Sequence, residues 1–254
     1  MTEYKAYLFD LDGTIYHGGK PIPEAVTMVN HLADKGIPYV FVTNNSTTSP
    51  PQVAERLQKM GIPAEAKDVV TSSQATVHYL NEQGCGKAMY TIGQAGLFKE
   101  LEAAGYQQTE EQPDVVIIGM NPEVTYKELA HATLAIAKGA LFISTNPDKA
   151  LPMEIGLMPG NGALTAFVAT ATSQEPTFIG KPFPTLMHLA LDRLQLTKDE
   201  VLMVGDNYLT DISAGINSDI DTLLVLSGFT QRADLETVEK QPTYIVNSLS
   251  DWKV

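Results

Sequence analysis

Apolar runs that stop at small or acidic residues alternate along this chain with segments whose apolar positions recur at helical spacing. The first run, Tyr7-Leu8-Phe9, ends in Asp10-Leu11-Asp12-Gly13-Thr14. Residues two apart in an extended chain share a side, so Asp10 and Asp12 can face one place while Leu11 packs away from it. Ala25, Val26, Val29, Leu32 and Ala33 then mark a helix over 23–35 that stops at Gly36. A second strand, Tyr39-Val40-Phe41-Val42, terminates in Thr43-Asn44-Asn45-Ser46. Helices over 51–60 and 74–82 flank a short strand at 69–73.

From Gly84 the alternation starts again, with strands at 88–92, 115–119 and 141–145 and helices over 95–104 and 126–138. Pro147, Pro152 and Pro159, with Gly156, Gly160 and Gly162, predict a loop-rich passage before a helix over 163–172. Gly160-Asn161-Gly162 lacks the lysine of a phosphate-binding loop and follows no strand, so it reads as the start of that helix. Beyond Gly180-Lys181-Pro182 lies a helix over 184–194. The strand Val201-Leu202-Met203-Val204 then breaks at Gly205-Asp206. A helix over 209–218, strands at 222–226 and 244–246, and Trp252 as a surface-anchoring aromatic complete the chain. Strands alternating with helices imply a parallel sheet with helices on both faces, because parallel strands need crossover connections. In such α/β sheets ligands gather at the carboxyl ends of the strands. Asp10, Asp12, Thr43 and Asp206 all stand at such ends.

Composition narrows the chemistry. With 254 residues, 44% hydrophobic and 19% charged, the chain is an ordinary globular protein of one large or two smaller domains. A formal net charge of -13 disfavours nucleic acids and anionic membranes as partners, and an anionic substrate would need local positive charge. Met1-Thr2-Glu3-Tyr4-Lys5 does not read as a leader and no run approaches a membrane span, which predicts a cytoplasmic location. The single Cys85 excludes an intramolecular disulfide, and His17, His31, His78, His131 and His188 show no metal-ligand spacing. Two carboxylates as close as Asp10 and Asp12 repel unless a proton or a cation joins them, and a hard divalent cation such as Mg²⁺ is the simplest partner. Taken singly, each residue also has a bland reading: Asp-Gly is ordinary turn chemistry, Thr43 can be a helix cap, Lys181 a solvated lysine and Asp206 a turn residue.

Taken together, Asp10-Leu11-Asp12-Gly13-Thr14, Thr43-Asn44-Asn45 closing a strand, Lys181 before Pro182, and Gly205-Asp206-Asn207 with Asp211 resemble the four ordered motifs of the haloacid dehalogenase superfamily. The resemblance implies a Rossmann-like core and phosphoryl transfer through an aspartyl phosphate. That chemistry asks for an in-line nucleophile, neutralisation of the equatorial oxygens and protonation of the leaving group. Asp10 would be the nucleophile and Asp12 the general acid and then base. Asp10, Asp206 and the backbone carbonyl of Asp12 would hold Mg²⁺, with Asp211 and Asn207 behind them. Thr43, the amides near Asn44, and Lys181 would bind the phosphoryl group. An acid at Asp12 favours rapid hydrolysis over dehalogenation or a long-lived phosphoenzyme.

Spacing refines the expectation. Asp10 to Thr43 has room for one helix, whereas Thr43 to Lys181 is far longer than a crossover needs. This predicts an inserted α/β cap domain at 81–176 between core segments 1–80 and 177–254. Together with Ile15-Tyr16 and Thr145-Asn146-Pro147-Asp148, the layout resembles the NagD-like branch, whose members hydrolyse sugar phosphates, nucleoside monophosphates and 4-nitrophenyl phosphate. That branch often has arginine where this chain has Asn207. Asn45, Asn146 and Asp148 are candidates to face the leaving group; Asx-turn residues around Pro147 are the competing reading. The expected protein is a Mg²⁺-dependent phosphatase of small phosphorylated metabolites, a monomer or a homodimer. A phosphotransferase or mutase of the same superfamily and a non-catalytic sensor of a phosphorylated ligand are the alternatives.

Overall fold

The computed structural model describes residues 4–153 and 155–254; Met1, Thr2 and Glu3, which entered the reading of the amino terminus, and Glu154 lie outside the described residues. Two compact units emerge. One comprises the chain up to Thr43, Pro50–Val70 and Lys181–Val254, and the other Asn44–Ser49 with Thr71–Gly180.

The first unit is built on a sheet whose strands run in the order Tyr244–Val246, Asp221–Val225, Val201–Gly205, Ala6–Phe9, Tyr39–Thr43 and Val69–Thr71. The pairs among the first five strands are parallel. Phe9 stands opposite Val204 on one side and Phe41 on the other. That register carries the chain ends after Phe9, after Gly205 and at Thr43 to the same sheet edge. Tyr7, Phe9, Phe41, Leu202 and Val204 share one apolar cluster with Leu32 and Leu57. Leu8, Val40 and Met203 are equally sealed and alternate with them, as strands buried on both faces require. Helix Pro23–Lys35 starts with proline, buries Ala25, Met28, Val29 and Leu32 on one stripe, and ends at Gly36 with φ 67°.

Trp252 is not a surface anchor. It is half-buried, its ring lies 4.9 Å from that of Tyr244, and its indole N–H donates to the Tyr7 hydroxyl at 3.4 Å. The expected helix over 209–218 is also two pieces: a π-helical turn, Tyr208–Ile212, precedes a short α-helix, Ser213–Asn217. The Asn207 side chain accepts from the amide of Leu209 at 3.0 Å, while the amides of Asp211 and Ile212 both reach the Asn207 carbonyl, at 2.9 and 3.3 Å. A wide turn of this kind re-aims one side chain within an otherwise regular helix.

The second unit has its own sheet, ordered Thr177–Phe178, Leu141–Ser144, Val115–Ile118, Ala88–Ile92 and Gln107–Gln108, parallel throughout. Tyr90, Ile92, Val116, Ile118 and Phe142 form one core with Leu129, Ala132 and Ile136 of helix Tyr126–Ala137 and Val168 of helix Asn161–Thr172. The passage expected to be loop contains an antiparallel hairpin, Ala150–Met153 with Gly156–Pro159. Together the sheets and helices make an α/β core with an inserted α/β cap.

The unit boundaries differ from the expected divisions at 80/81 and 176/177. Ser72 and Ser73, opening helix Ser72–Gln83, donate their hydroxyls to the carbonyls of Asn44 at 2.7 Å and Ser46 at 3.1 Å. The Gly96 amide donates to the Thr47 carbonyl at 3.1 Å. Residues 44–49 and this helix therefore belong to the second unit, and Thr177–Phe178 extends its sheet. Among the described residues no helix is long and apolar enough to cross a membrane.

Candidate active site

At the carboxyl edge of the first sheet, Asp10 is held by its amide, which donates to the Val204 carbonyl at 2.9 Å. Its Oδ1 accepts from Lys181 Nζ at 2.5 Å. The same ammonium donates to Asp211 Oδ1 at 2.8 Å and to the Val42 carbonyl at 3.2 Å, and so uses three donors in a site sealed from water. The π-helical turn delivers Asp211 to this place, and Asp211 Oδ2 accepts from the Asn207 amide at 3.0 Å. Asp206 follows the strand Val201–Gly205 directly; its Oδ1 accepts from the Thr14 hydroxyl at 3.0 Å and its Oδ2 from the Phe229 amide at 2.7 Å. Gly13, at φ 102°, and Gly228 stand where a Cβ would collide with the Asp206 carboxylate.

Carboxylate oxygens of Asp10, Asp206 and Asp211 lie within 4.8 Å of one another. Lys181 pairs with two of these three buried acids, Asp10 and Asp211, so negative charge is in excess, and Asp206 and Asp10 both respond to it. Burial, then the charge of Asp211, pushes Asp206 up to about 6 against the pull of the Phe229 amide, Thr14 and Lys181. Asp10 is raised well above the ordinary carboxylate range, first by burial and then by Asp211. Burial opposes the charge on Lys181, yet Asp10 and Asp211 together hold its pKa above that of a free lysine. A hard cation with oxygen ligands fits this donor set: it would offset the surplus charge and favour the ionised acids. Asp211, expected behind the metal, stands within the carboxylate cluster itself.

The Asp12 side chain is not part of that cluster. It is exposed, and its Oδ2 accepts from the Tyr16 hydroxyl at 3.4 Å. Desolvation by the surrounding protein raises its pKa, and Arg56 and Tyr16 counter that effect; the exposure of the residue limits how much this shift matters. Thr43 closes the strand Tyr39–Thr43 and is buried.

Asn44, Asn146 and Asp148 meet in the second unit. The Asn44 side-chain amide donates to both Asp148 oxygens, at 3.1 and 3.2 Å. Asn146 is buried, donating to the Asn44 carbonyl at 2.9 Å and accepting the Asp148 amide at 3.1 Å. Asn45 Oδ1 accepts from both the amide and the hydroxyl of Thr47, at 2.7 and 2.8 Å. Asn146 and Asn45 thus shape backbone, while the Asp148 carboxylate and Asn44 amide are half-buried and paired. Sequence reasoning did not single out Thr14, the Phe229 amide, Tyr16 or Arg56 for any role. Thr14 was legible as the hydroxyl after Asp-Gly, whereas a backbone donor more than twenty residues from its acceptor leaves no sequence signal.

Parallel core, strand-end carboxylates and a buried lysine define a hydrolase class, and the comparisons agree on it. A family model described as haloacid dehalogenase-like hydrolase matches residues 7–107, and one described as HAD-hydrolase-like matches residues 178–252. An acid sugar phosphatase of Staphylococcus aureus is 48% identical over 252 residues, covering 99% of this chain and 97% of that protein. Among solved structures, a single-mutant thermostable NPPase from Geobacillus stearothermophilus has a TM-score of 0.94 at 48% identity, covering 100% of this chain and 99% of that one. NagD from E. coli K-12 has a TM-score of 0.94 at 32% identity, covering 99% of each chain. The chain belongs to the haloacid dehalogenase-like hydrolases, and within them to the NagD-like phosphatases.

Proposed function

We propose that the protein hydrolyses small phosphate monoesters, sugar phosphates among them, through an aspartyl phosphate on Asp10. The observation that carries this reading is the Asp10–Lys181–Asp211 arrangement beside Asp206: one carboxylate aligned with an ammonium, in a cluster of three acids that carries more negative charge than the lysine balances. Asp10 Oδ attacks phosphorus as the bond to the leaving oxygen breaks, and Asp12 gives that oxygen its proton. Asp12, now ionised, takes a proton from the water that cleaves the acyl phosphate. Lys181 keeps Asp10 oriented and adds positive charge where the phosphoryl oxygens gather. The Thr43 hydroxyl and the amide of Asn44 are the proposed donors to those oxygens. Asp10, Asp206 and Asp211, with the carbonyl of Asp12, are the proposed ligands of Mg²⁺, which when bound neutralises charge on the transferring phosphoryl group. Thr14 and the Phe229 amide fix the Asp206 carboxylate for that duty. Asp148, presented by Asn44, is the proposed contact for the leaving group. The names of the relatives support the sugar-phosphate class, and the net charge of -13 supports a small metabolite over a nucleic acid or membrane partner; the cytoplasm is the proposed location.

The test is hydrolysis of 4-nitrophenyl phosphate and a panel of sugar phosphates with Mg²⁺, with chelator, and in Asp10→Asn. Chelator and the substitution should each abolish turnover, and phosphate trapped on the protein from labelled substrate should disappear in Asp10→Asn. Activity that survives either treatment overturns the mechanism; release of label to a sugar hydroxyl instead of water would make the protein a transferase.

A further inference from the structure

Between the opening strand and helix Pro23–Lys35 the chain makes a hairpin, Tyr16–His17 against Lys20–Pro21, turning at Gly18 with φ 57°. Tyr16 is buried, its carbonyl accepts from the Gly13 amide at 2.8 Å, and its hydroxyl reaches Asp12. Among the described residues Tyr16 is the only hydrogen-bond partner of the Asp12 carboxylate. Over the other side of the ring lies Arg56 of helix Pro50–Lys59, its guanidinium carbon 4.2 Å from the ring centroid. The guanidinium also donates to the Gly18 carbonyl at the hairpin turn.

Arg56 is exposed to solvent, yet its guanidinium is engaged by the Tyr16 ring and the Gly18 carbonyl. Its neighbour Glu55 pairs with Lys59, and among the described residues Arg56 itself has no acid in an ion pair. Hairpin and helix are separated by a cavity of about 500 Å³, lined by Gly19 and Pro21 on one side and Gln52, Lys59 and Met60 on the other. Arg56 reaches across it and props the hairpin with one planar group that both stacks and donates, a combination a lysine cannot reproduce.

We propose that Arg56 is a positioning residue for proton transfer: it holds the Tyr16 ring, and through the Tyr16 hydroxyl the Asp12 carboxyl, in the orientation that delivers a proton to the leaving oxygen. The inference rests on Asp12 acting as the general acid. In that step the bond from phosphorus to the leaving oxygen breaks while the Asp12 O–H bond breaks and its proton joins that oxygen. A sugar alkoxide is a poor leaving group and needs the proton; 4-nitrophenolate is a stable anion and hardly does. A misplaced Asp12 therefore slows the alkyl ester selectively, whereas general damage to the site slows both.

The experiment compares kcat/KM for glucose 6-phosphate and 4-nitrophenyl phosphate in the Mg²⁺-loaded wild type, Asp12→Asn, Tyr16→Phe, Arg56→Met and Arg56→Lys. Asp12→Asn should lose roughly a hundredfold more on the sugar ester than on the aryl ester. Arg56→Met and Tyr16→Phe should lose about tenfold on the sugar ester and less than about threefold on the aryl ester, with Arg56→Lys in between. If Arg56→Met destabilises the fold, Tyr16→Phe and Arg56→Lys carry the comparison. Equal losses on both esters, or none, with a selective loss in Asp12→Asn, would overturn the role of Arg56 and leave Asp12 as the acid. Absence of selectivity in Asp12→Asn would remove the acid itself, and the inference with it.

Discussion

The ammonium of Lys181 lies 2.5 Å from Asp10 Oδ1, with the lysine 2% and the aspartate 8% exposed. A charge pair sealed this completely loses hydration on both partners, and here the second contact to Asp211 leaves the ammonium with more negative charge than it can balance. The pair is therefore better explained by what it does to Asp10 than by any contribution to stability.

Removing the ammonium should expose that imbalance. Lys181→Met is expected to destabilise the metal-free protein by about 3 kcal/mol at pH 8, because Asp10 and Asp211 are left buried and uncompensated. The loss should shrink at pH 5, where Asp10, raised by burial and by the charge of Asp211, can take up a proton. Denaturant titrations at the two pH values check this, and turnover should fall about a hundredfold or more at either.

The Asp206 carboxyl, pushed up to about 6, sets a pH window for both stability and metal affinity. Its unfolded value is near 4, so between the two the native state binds the extra proton. The stability this contributes to the metal-free protein is fully present below about pH 4 and lost as pH rises through about 6. On the order of 1–3 kcal/mol is at stake, and Asp206→Asn should flatten the pH dependence. Mg²⁺ should reverse the trend, raising Tm more at pH 7.5 than at pH 5. Calorimetry in buffers of different ionisation enthalpy should register proton release on Mg²⁺ binding near pH 6.

Gly228 and Gly13 predict how closely Asp206 must be approached. A Cβ at Gly228 would overlap the carboxylate that the Phe229 amide holds, without a left-handed backbone to complicate the result. Gly228→Ala should weaken Mg²⁺ binding about 10–100-fold while leaving the far-ultraviolet spectrum intact. Gly13→Ala adds the strain of φ 102° and should also lower Tm, whereas Gly61→Ala, at φ 80° in open space, should leave Mg²⁺ affinity alone.

Asn161 offers a test within the second unit. Its buried amide donates to the carbonyl of Asn146 at 2.9 Å and to the Ser144 hydroxyl at 3.0 Å, tying helix Asn161–Thr172 to the turn that carries Asp148. Asn161→Leu should cost about 2–3 kcal/mol by stranding those acceptors, and hydrogen exchange at residues 144–148 should accelerate. Unchanged exchange there would show that the turn is held by other contacts.

The alternation of strands and helices, and the acids at strand ends, were legible because both are local. Period two and period 3.6 can be counted in any window, and Asp10, Asp12, Thr43 and Asp206 each stand at or within three residues of the end of an apolar run. From parallel pairing alone it follows that those ends share one edge. Tertiary structure decided the rest. Asp211 enters the carboxylate cluster through a π-helical turn that no periodicity announces. Asn44 and its neighbours join the second unit because serines nearly thirty residues away need their carbonyls. Trp252 is drawn inward by Tyr7 and Tyr244, and Arg56, an unremarkable residue on an amphipathic helix, acquires a task only when the hairpin folds beneath it. Each of these depends on a partner far away in the chain, and local propensity carries no information about such a partner.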